Sequence, residues 1–283
     1  MEFAKNTNAP LEGGGKHLTT PKQNIEDQSP IASDGSSKNG AEICAEVSTT
    51  QNKSQTLTTP PTKHLMQRPL PSRAQRKIPK RSSHHFVGQL VYNRGEQRQC
   101  LGFASLLEYH TALCFIYRPD FLDIEEQLAA LPFILPNGKK SAHFFDFKVT
   151  FRGGWRVCIS VKPERIAQTF AYRATMDCIK RAAIGNICED VRTVTQRNIH
   201  PIELHNAKLF HSARDPEPQI DALISERLKS LPNPMPIRDF LAREGLQGTG
   251  FRATARAIRF GKAKLLNREK ITDRTLITRG SFS

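Results

Sequence analysis

His143 to Lys162 reads HFFDFKVTFRGGWRVCISVK, two strand-like runs joined through Gly153-Gly154. In the first run Phe145, Phe147, Val149 and Phe151 alternate with Phe144, Asp146, Lys148 and Thr150. In the second, Trp155, Val157, Ile159 and Val161 alternate with Arg156, Cys158, Ser160 and Lys162. Successive strand residues point to opposite faces, so each run has one apolar side. A two-residue turn would pair Arg152 with Trp155 and set those sides on opposite faces. A one-residue slip inverts every side chain. A three-residue loop, or a bulge at a glycine, aligns the apolar residues and is therefore expected. That register brings Asp146 opposite or near Ser160 and Lys162.

A carboxylate fixed on a strand can hold a divalent cation. A lysine beside it can orient an activated water or stabilise charge at a phosphate. From the hairpin alone an ordinary Asp–Lys pair on a solvated face is the competing reading. Glu108 adds weight to the first. It sits in the helically spaced stretch LGFASLLEYHTALCFIYR (101–118), where its neighbours at three, four and seven residues are Ala104, Thr111, Ala112 and Phe115. A glutamate in such small and apolar surroundings needs a partner, because burying an unpaired charge is costly. That partner is a metal ion or an arginine.

Outward from the hairpin, FVGQLVYN (86–93) and LDIEEQ (122–127) read as strands, and Asn137-Gly138 marks a turn. After Pro163 the stretch 164–185 has helical spacing and ends on Gly185, and VRTVT (191–195) is a further strand. The alternation predicts a mixed α/β domain over about 86–200. Residues 201–217 look like a connection. Beyond it, three short helical segments (IDALISERLKSL, IRDFLAREG and GFRATARAIRFGKAKLL) precede an alternating tail, the layout of a winged helix-turn-helix over 211–283. Residues 1–62 are rich in Ser, Thr, Asn, Gln, Gly and Lys and too poor in apolar residues to offset their ordering entropy. A disordered tail is expected to residue 85. Within it, 63–81 holds seven Lys or Arg and no acid, either an arm that grips phosphates or a solvated linker.

The 283 residues carry 42 Lys+Arg against 27 Asp+Glu, a net charge of +15 that points to a polyanionic partner, usually nucleic acid. No apolar run is long enough for a membrane span, and the N-terminus lacks the apolar core of a secretory signal. The six cysteines form no CxxC pair or zinc spacing, and three of them fall in apolar patterns, which suits a reducing cytoplasm.

FASLLE (103–108), IEEQ (124–127), FFDFKV (144–149) and ISVK (159–162) together resemble the N-terminal domain of TnsA-type transposon endonucleases, which are restriction-endonuclease-like PD-(D/E)XK nucleases. The family pattern is an ES-x-x-E-like helix, a QP-like strand, a PDF-like strand and an E/Q-x-K strand. VRTVTQRNIHPIELHNAKLF (191–210) resembles the segment and helix that follow. The resemblance covers 86–210 and implies a restriction-endonuclease-like mixed sheet flanked by helices, with a C-terminal winged helix as the family also carries. It implies that Glu108 and Asp146 hold Mg²⁺ (or Mn²⁺) and that Lys162 is the catalytic lysine. Ser160 departs from the family's Glu or Gln, Ala104 from a common Glu, and Phe145 from a frequent proline. Glu164 is a possible substitute ligand. The implied activity is cleavage of double-stranded DNA at transposon ends, alongside a transposase and an ATPase regulator.

In the last helical segment Phe251, Ala255 and Ile258 form an apolar stripe and Arg252, Arg256 and Arg259 a basic one, with Lys262 beyond. These four are the candidate DNA contacts, since an arginine stripe suits a major groove; a protein-facing basic surface is the alternative. Two other functions stay open. A nuclease-derived DNA-binding or assembly factor that has lost cutting is favoured by Ser160, and a winged-helix transcription factor would explain the C-terminus alone.

Overall fold

The computed structural model describes residues 68–76, 86–246 and 248–282. The tail expected over 1–85 lies outside the described residues except for 68–76.

The hairpin takes the register its apolar pattern requires. Strand β6 (Phe147–Phe151) pairs antiparallel with β7 (Arg156–Val161), Phe147 opposite Ile159 and Val149 opposite Val157. Arg152, Gly153 and Gly154 form the loop, closed by the Phe151 amide donating to the Trp155 carbonyl at 2.9 Å. Both glycines have positive φ, 93° and 86°, a region that side-chain-bearing residues rarely enter. Phe147, Val149, Val157 and Ile159 are all buried. At about 1.5–3 kcal/mol per buried large apolar side chain, the slipped register would lose several times what any turn preference supplies.

Around this pair the sheet is completed by β3 (Phe121–Glu126), antiparallel to β6, and β8 (Asp190–Val194), parallel to β7, in the order β3-β6-β7-β8. Helix α1 (Leu106–Ile116) covers one face. Its Ala112, Leu113, Phe115 and Ile116 join Phe147, Val149, Val157, Ile159 and Val161 in one core. The other face carries Cys158 and Val191 against Met176, Cys178 and Ile179 of α3 (Phe170–Ala183), which follows the short α2 (Glu164–Ala167). A central strand covered on both faces is buried throughout, as Val157 to Val161 are. Two antiparallel hairpins flank the sheet: β1 (Gly88–Arg94) with β2 (Gln97–Phe103), and β4 (Leu131–Ile134) with β5 (Lys140–His143). The five described cysteines are free thiols.

Four expectations need correction. Leu101 to Phe103 belong to β2, and α1 begins only after Ser105, whose hydroxyl accepts from the Glu108 amide as an N-cap. Phe145 does not share a face with Phe147. A bend at Asp146 turns it into the α3-side core, edge-on to His143 at 4.7 Å. The expected connection at 201–217 contains helix α4 (Pro201–Ser212). Its apolar residues serve two cores, Ala207 facing the sheet and Leu209 the C-terminal region, which blurs any single stripe. Finally, residues 68–76 are anchored. Leu70 bridges to Gln99, and Arg73 reaches both carboxylate oxygens of Asp123 at 2.8 and 2.9 Å.

Beyond α4, helices α5 (Pro218–Lys229), α6 (Ile237–Arg243) and α7 (Gly248–Arg259) enclose Ile224, Leu228, Ile237, Phe240 and Ala253. A small antiparallel sheet of β9 (Met235–Pro236), β11 (Leu276–Arg279) and β10 (Ala263–Leu265) closes this core through Ile277 and Ala263. No helix among the described residues is long and apolar enough to cross a membrane.

Candidate active site

Asp146 precedes β6 and faces Ser160 in the hairpin register. It is 9% exposed, and its Oδ2 accepts from the Val161 amide at 2.7 Å. Its own amide donates to the Ile159 carbonyl at 3.0 Å, which fixes the backbone on both sides of the carboxylate.

Glu108 lies in the first turn of α1 and is 7% exposed. Oε2 accepts from the Ala104 amide at 2.8 Å and Oε1 from the Ser105 hydroxyl at 3.1 Å, a variant of the capping box. Capping alone would account for a glutamate here. It does not account for a second buried carboxylate close by. Burial and then the charge of Asp146 push the Glu108 carboxyl above its ordinary range, against smaller opposing effects from Ala104, Ser105 and Lys162. Burial likewise raises Asp146, countered by the Val161 amide, Lys162, Arg76 and Gln127. Two carboxyl groups thus share a poorly solvated site that disfavours their charged forms.

Gln127 joins the two acids. Its side-chain amide donates to Glu108 Oε2 at 3.4 Å and its backbone amide to the Asp146 carbonyl at 2.8 Å. It is 2% exposed and holds φ at 44°, the only non-glycine with positive φ among the described residues. Lys162, just past β7, anchors its amide on the Val194 carbonyl at 3.0 Å, and its charge acts on Glu108, Asp146 and His143. The structure therefore brings Glu108, Asp146, Ser160 and Lys162 together.

Ser160 is fully buried, with its hydroxyl 2.7 Å from His143 Nε2. Burial, with Lys162 assisting, drives the His143 pKa down to about 4, so the imidazole is neutral at physiological pH. Tyr172 of α3 closes the same side, its hydroxyl 2.9 Å from Thr193 Oγ1. The room a longer residue at 160 would need is thus filled by an imidazole from β5. Glu164 does not substitute for it. Its carboxylate accepts from Gln168 at 2.6 Å and lies 3.8 Å from Arg197.

His143 and Gln127 were not foreseen as site residues. IEEQ enters the resemblance only as a strand, and nothing local to His143 shows that β5 lies over Ser160. Among the described residues, no three His, Cys, Asp or Glu side chains gather into a group that could hold a metal ion. Glu108 and Asp146 offer two carboxyl groups. That donor set fits Mg²⁺, which commonly takes one or two carboxylates and completes its shell with water and substrate phosphate.

One residue of the basic stripe of α7, Arg256, is interior, a correction to its expected role. Arg256 is 5% exposed and bonds to Asp221 at 2.8 Å, to Glu217 at 3.1 Å and to the Ala213 and Asp215 carbonyls. It cannot reach DNA. The Arg259 guanidinium stacks 4.4 Å above the Tyr117 ring, and its pKa falls through burial. Arg252, half exposed, lies 3.6 Å from Glu217, and Lys262 donates to Ser225 at 3.0 Å. Arg259 and Lys262 line a cavity of about 1140 Å³ with Arg94, Arg152, Arg214 and Phe260. It lies at the hairpin-tip end of the sheet, away from Asp146.

No protein-family model matches the chain, and no curated protein matches it.

Proposed function

We propose that the chain is a Mg²⁺-dependent DNA endonuclease of the TnsA type, with a restriction-endonuclease-like N-terminal domain and a winged-helix C-terminal domain. The observation that carries this reading is the convergence of Glu108, Asp146 and Lys162 from a helix, a strand start and a strand end, with both carboxyl groups buried. A mixed sheet with helices on both faces supports the first domain. Three helices closed by a three-stranded sheet support the second.

Glu108 and Asp146 would hold the cation, which when bound would polarise the phosphodiester and the attacking water. Gln127 fixes the separation of the two carboxylates through one bond to each residue. Lys162 presents its ammonium Nζ to the phosphate, where negative charge accumulates. His143, a neutral imidazole, holds the Ser160 hydroxyl through Nε2 and keeps the wall beside Asp146 packed. By the resemblance, the substrate is duplex DNA at transposon ends, cut in company with a transposase and an ATPase regulator.

The test is calorimetric titration of Mn²⁺ into the wild type and Asp146→Asn, followed by nicking of supercoiled DNA. Saturable binding and nicking, both lost in the variant, are expected. Ser160 favours a second reading, an assembly factor that keeps the fold without cutting. Folded protein that binds no Mn²⁺ and does not nick, alone or with DNA present, would select that reading.

A further inference from the structure

Residues 70–76 form a densely anchored strap that reaches Gln127. The Leu70 amide donates to the Arg98 carbonyl at 2.8 Å, and the Cys100 amide to the Leu70 carbonyl at 2.9 Å. Ser72 Oγ and the Arg73 amide both donate to Oε1 of the buried Glu126, at 2.5 and 3.0 Å. The Arg73 guanidinium clamps Asp123. The amides of Gln75 and Arg76 donate to the Gln127 carbonyl at 2.9 and 3.2 Å. Gln127 is the residue bonded to both Glu108 and Asp146. The strap is therefore pinned to the residue that links the two acids, and one exposed cationic side chain extends from it there.

That side chain is Arg76. It is exposed, its guanidinium stacks 5.6 Å from the Phe144 ring centre, and among the described residues it forms no ion pair. A guanidinium held by stacking keeps its donor edge open, and that fork matches the oxygens of a phosphate. Lys162 arrives at the acids from β7 and Arg76 from the strap.

We propose that Arg76 is a second phosphate-contacting cation of this site, which grips a backbone phosphate of the nucleic acid across the carboxylate pair from Lys162. The assignment rests on the nuclease reading for its substrate and names a residue outside the resemblance to the TnsA-type domain. Its charge acts on the Asp146 carboxylate, which agrees with the placement. The strap is thereby a working part of the site, and Arg73 is the positioning residue that delivers Arg76.

The experiment is fluorescence anisotropy of a labelled DNA duplex against the full chain, at salt concentrations between about 50 and 200 mM, for wild type, Arg76→Ala, Arg76→Lys and Arg73→Ala. Mn²⁺ calorimetry accompanies each protein. Arg76→Ala is expected to lower the slope of log affinity against log salt by about 1, with affinity reduced several-fold. Its Mn²⁺ binding stays unchanged, and Arg76→Lys keeps the slope. Arg73→Ala is expected to copy the slope loss, since a released strap no longer delivers Arg76. A wild-type slope in Arg76→Ala overturns the proposal. So does loss of Mn²⁺ binding in that variant, which would make Arg76 a builder of the pocket. Wild-type protein that binds Mn²⁺ but not duplex overturns this assignment and leaves the metal reading standing. A slope change in a protein that binds no Mn²⁺ does the reverse.

Discussion

The sheet gathers carboxylates in two places and treats them in opposite ways. At Asp123, the guanidinium groups of Arg73 and Arg94 approach to 2.8 and 3.0 Å, and together they hold its carboxyl below the ordinary range despite partial burial. At Glu108 and Asp146 burial wins, helped at Glu108 by the charge of Asp146, and both carboxyls are raised. The first cluster is a finished ion pair that fastens a segment. The second is unfinished, which is how groups that await a ligand differ from groups that hold a fold. Charge counts along the sequence do not separate the two cases; the neutralising partners do.

The strongest way to break this contrast is to remove each acid in turn. Asp146→Asn and Glu108→Gln are each expected to lower DNA nicking by about a thousandfold or more, the scale of losing a transition-state charge contact. Both should keep or raise the melting temperature, because an unneutralised buried charge is removed. A nicking assay beside a thermal melt checks both halves. A large fall in melting temperature would place these acids with Asp123.

Arg256→Ala should do the opposite, costing about 3 kcal/mol by stranding Asp221 and Glu217, with the DNA salt slope unchanged. Urea denaturation and the anisotropy titration read the two effects. Asp123→Asn should cost about 2 kcal/mol, since it removes charged hydrogen bonds of a partly exposed pair, and should loosen the strap enough to admit proteolysis near Arg73.

The smallest effect concerns pH. Glu108 and Asp146 titrate above their unfolded values, so their contribution to stability is full while they are protonated and is lost as pH rises through the raised pKa values. A divalent cation offsets that loss only where the pair is ionised. The melting-temperature gain from Mn²⁺ should therefore be larger near pH 8 than near about pH 5. A gain equal at both values would place the cation elsewhere.

The hairpin was legible because its information is local. Alternation, two glycines and the cost of exposing Phe147 and Val149 suffice to set the register, and the register sets Asp146 beside Ser160. Glu108 was legible from what surrounds it within one helix turn. The arginine stripe of α7 misled for the complementary reason. Spacing of three and four fits a groove-facing helix and an interior one equally. What decides is Asp221 on α5 and Glu217 before it, more than thirty residues upstream of Arg256. The strap was hidden likewise. Its Pro and Arg content reads as a linker, and its order depends on Asp123 and Glu126, some fifty residues downstream. His143 over Ser160 needed the placement of one hairpin on another.

The backbone of Gln127, held at φ 44°, sets a trap for anyone who engineers this protein for robustness. Such a conformation costs a non-glycine residue on the order of 1–3 kcal/mol. Gln127→Gly would accordingly be favoured in a screen for thermal stability by relief of that strain alone. It would also erase the amide that reaches Glu108 and soften the joint on which the strap and Asp146 both hang. Selection by heat would then enrich variants whose pocket has come apart, and only a screen that scores cation binding alongside melting would notice.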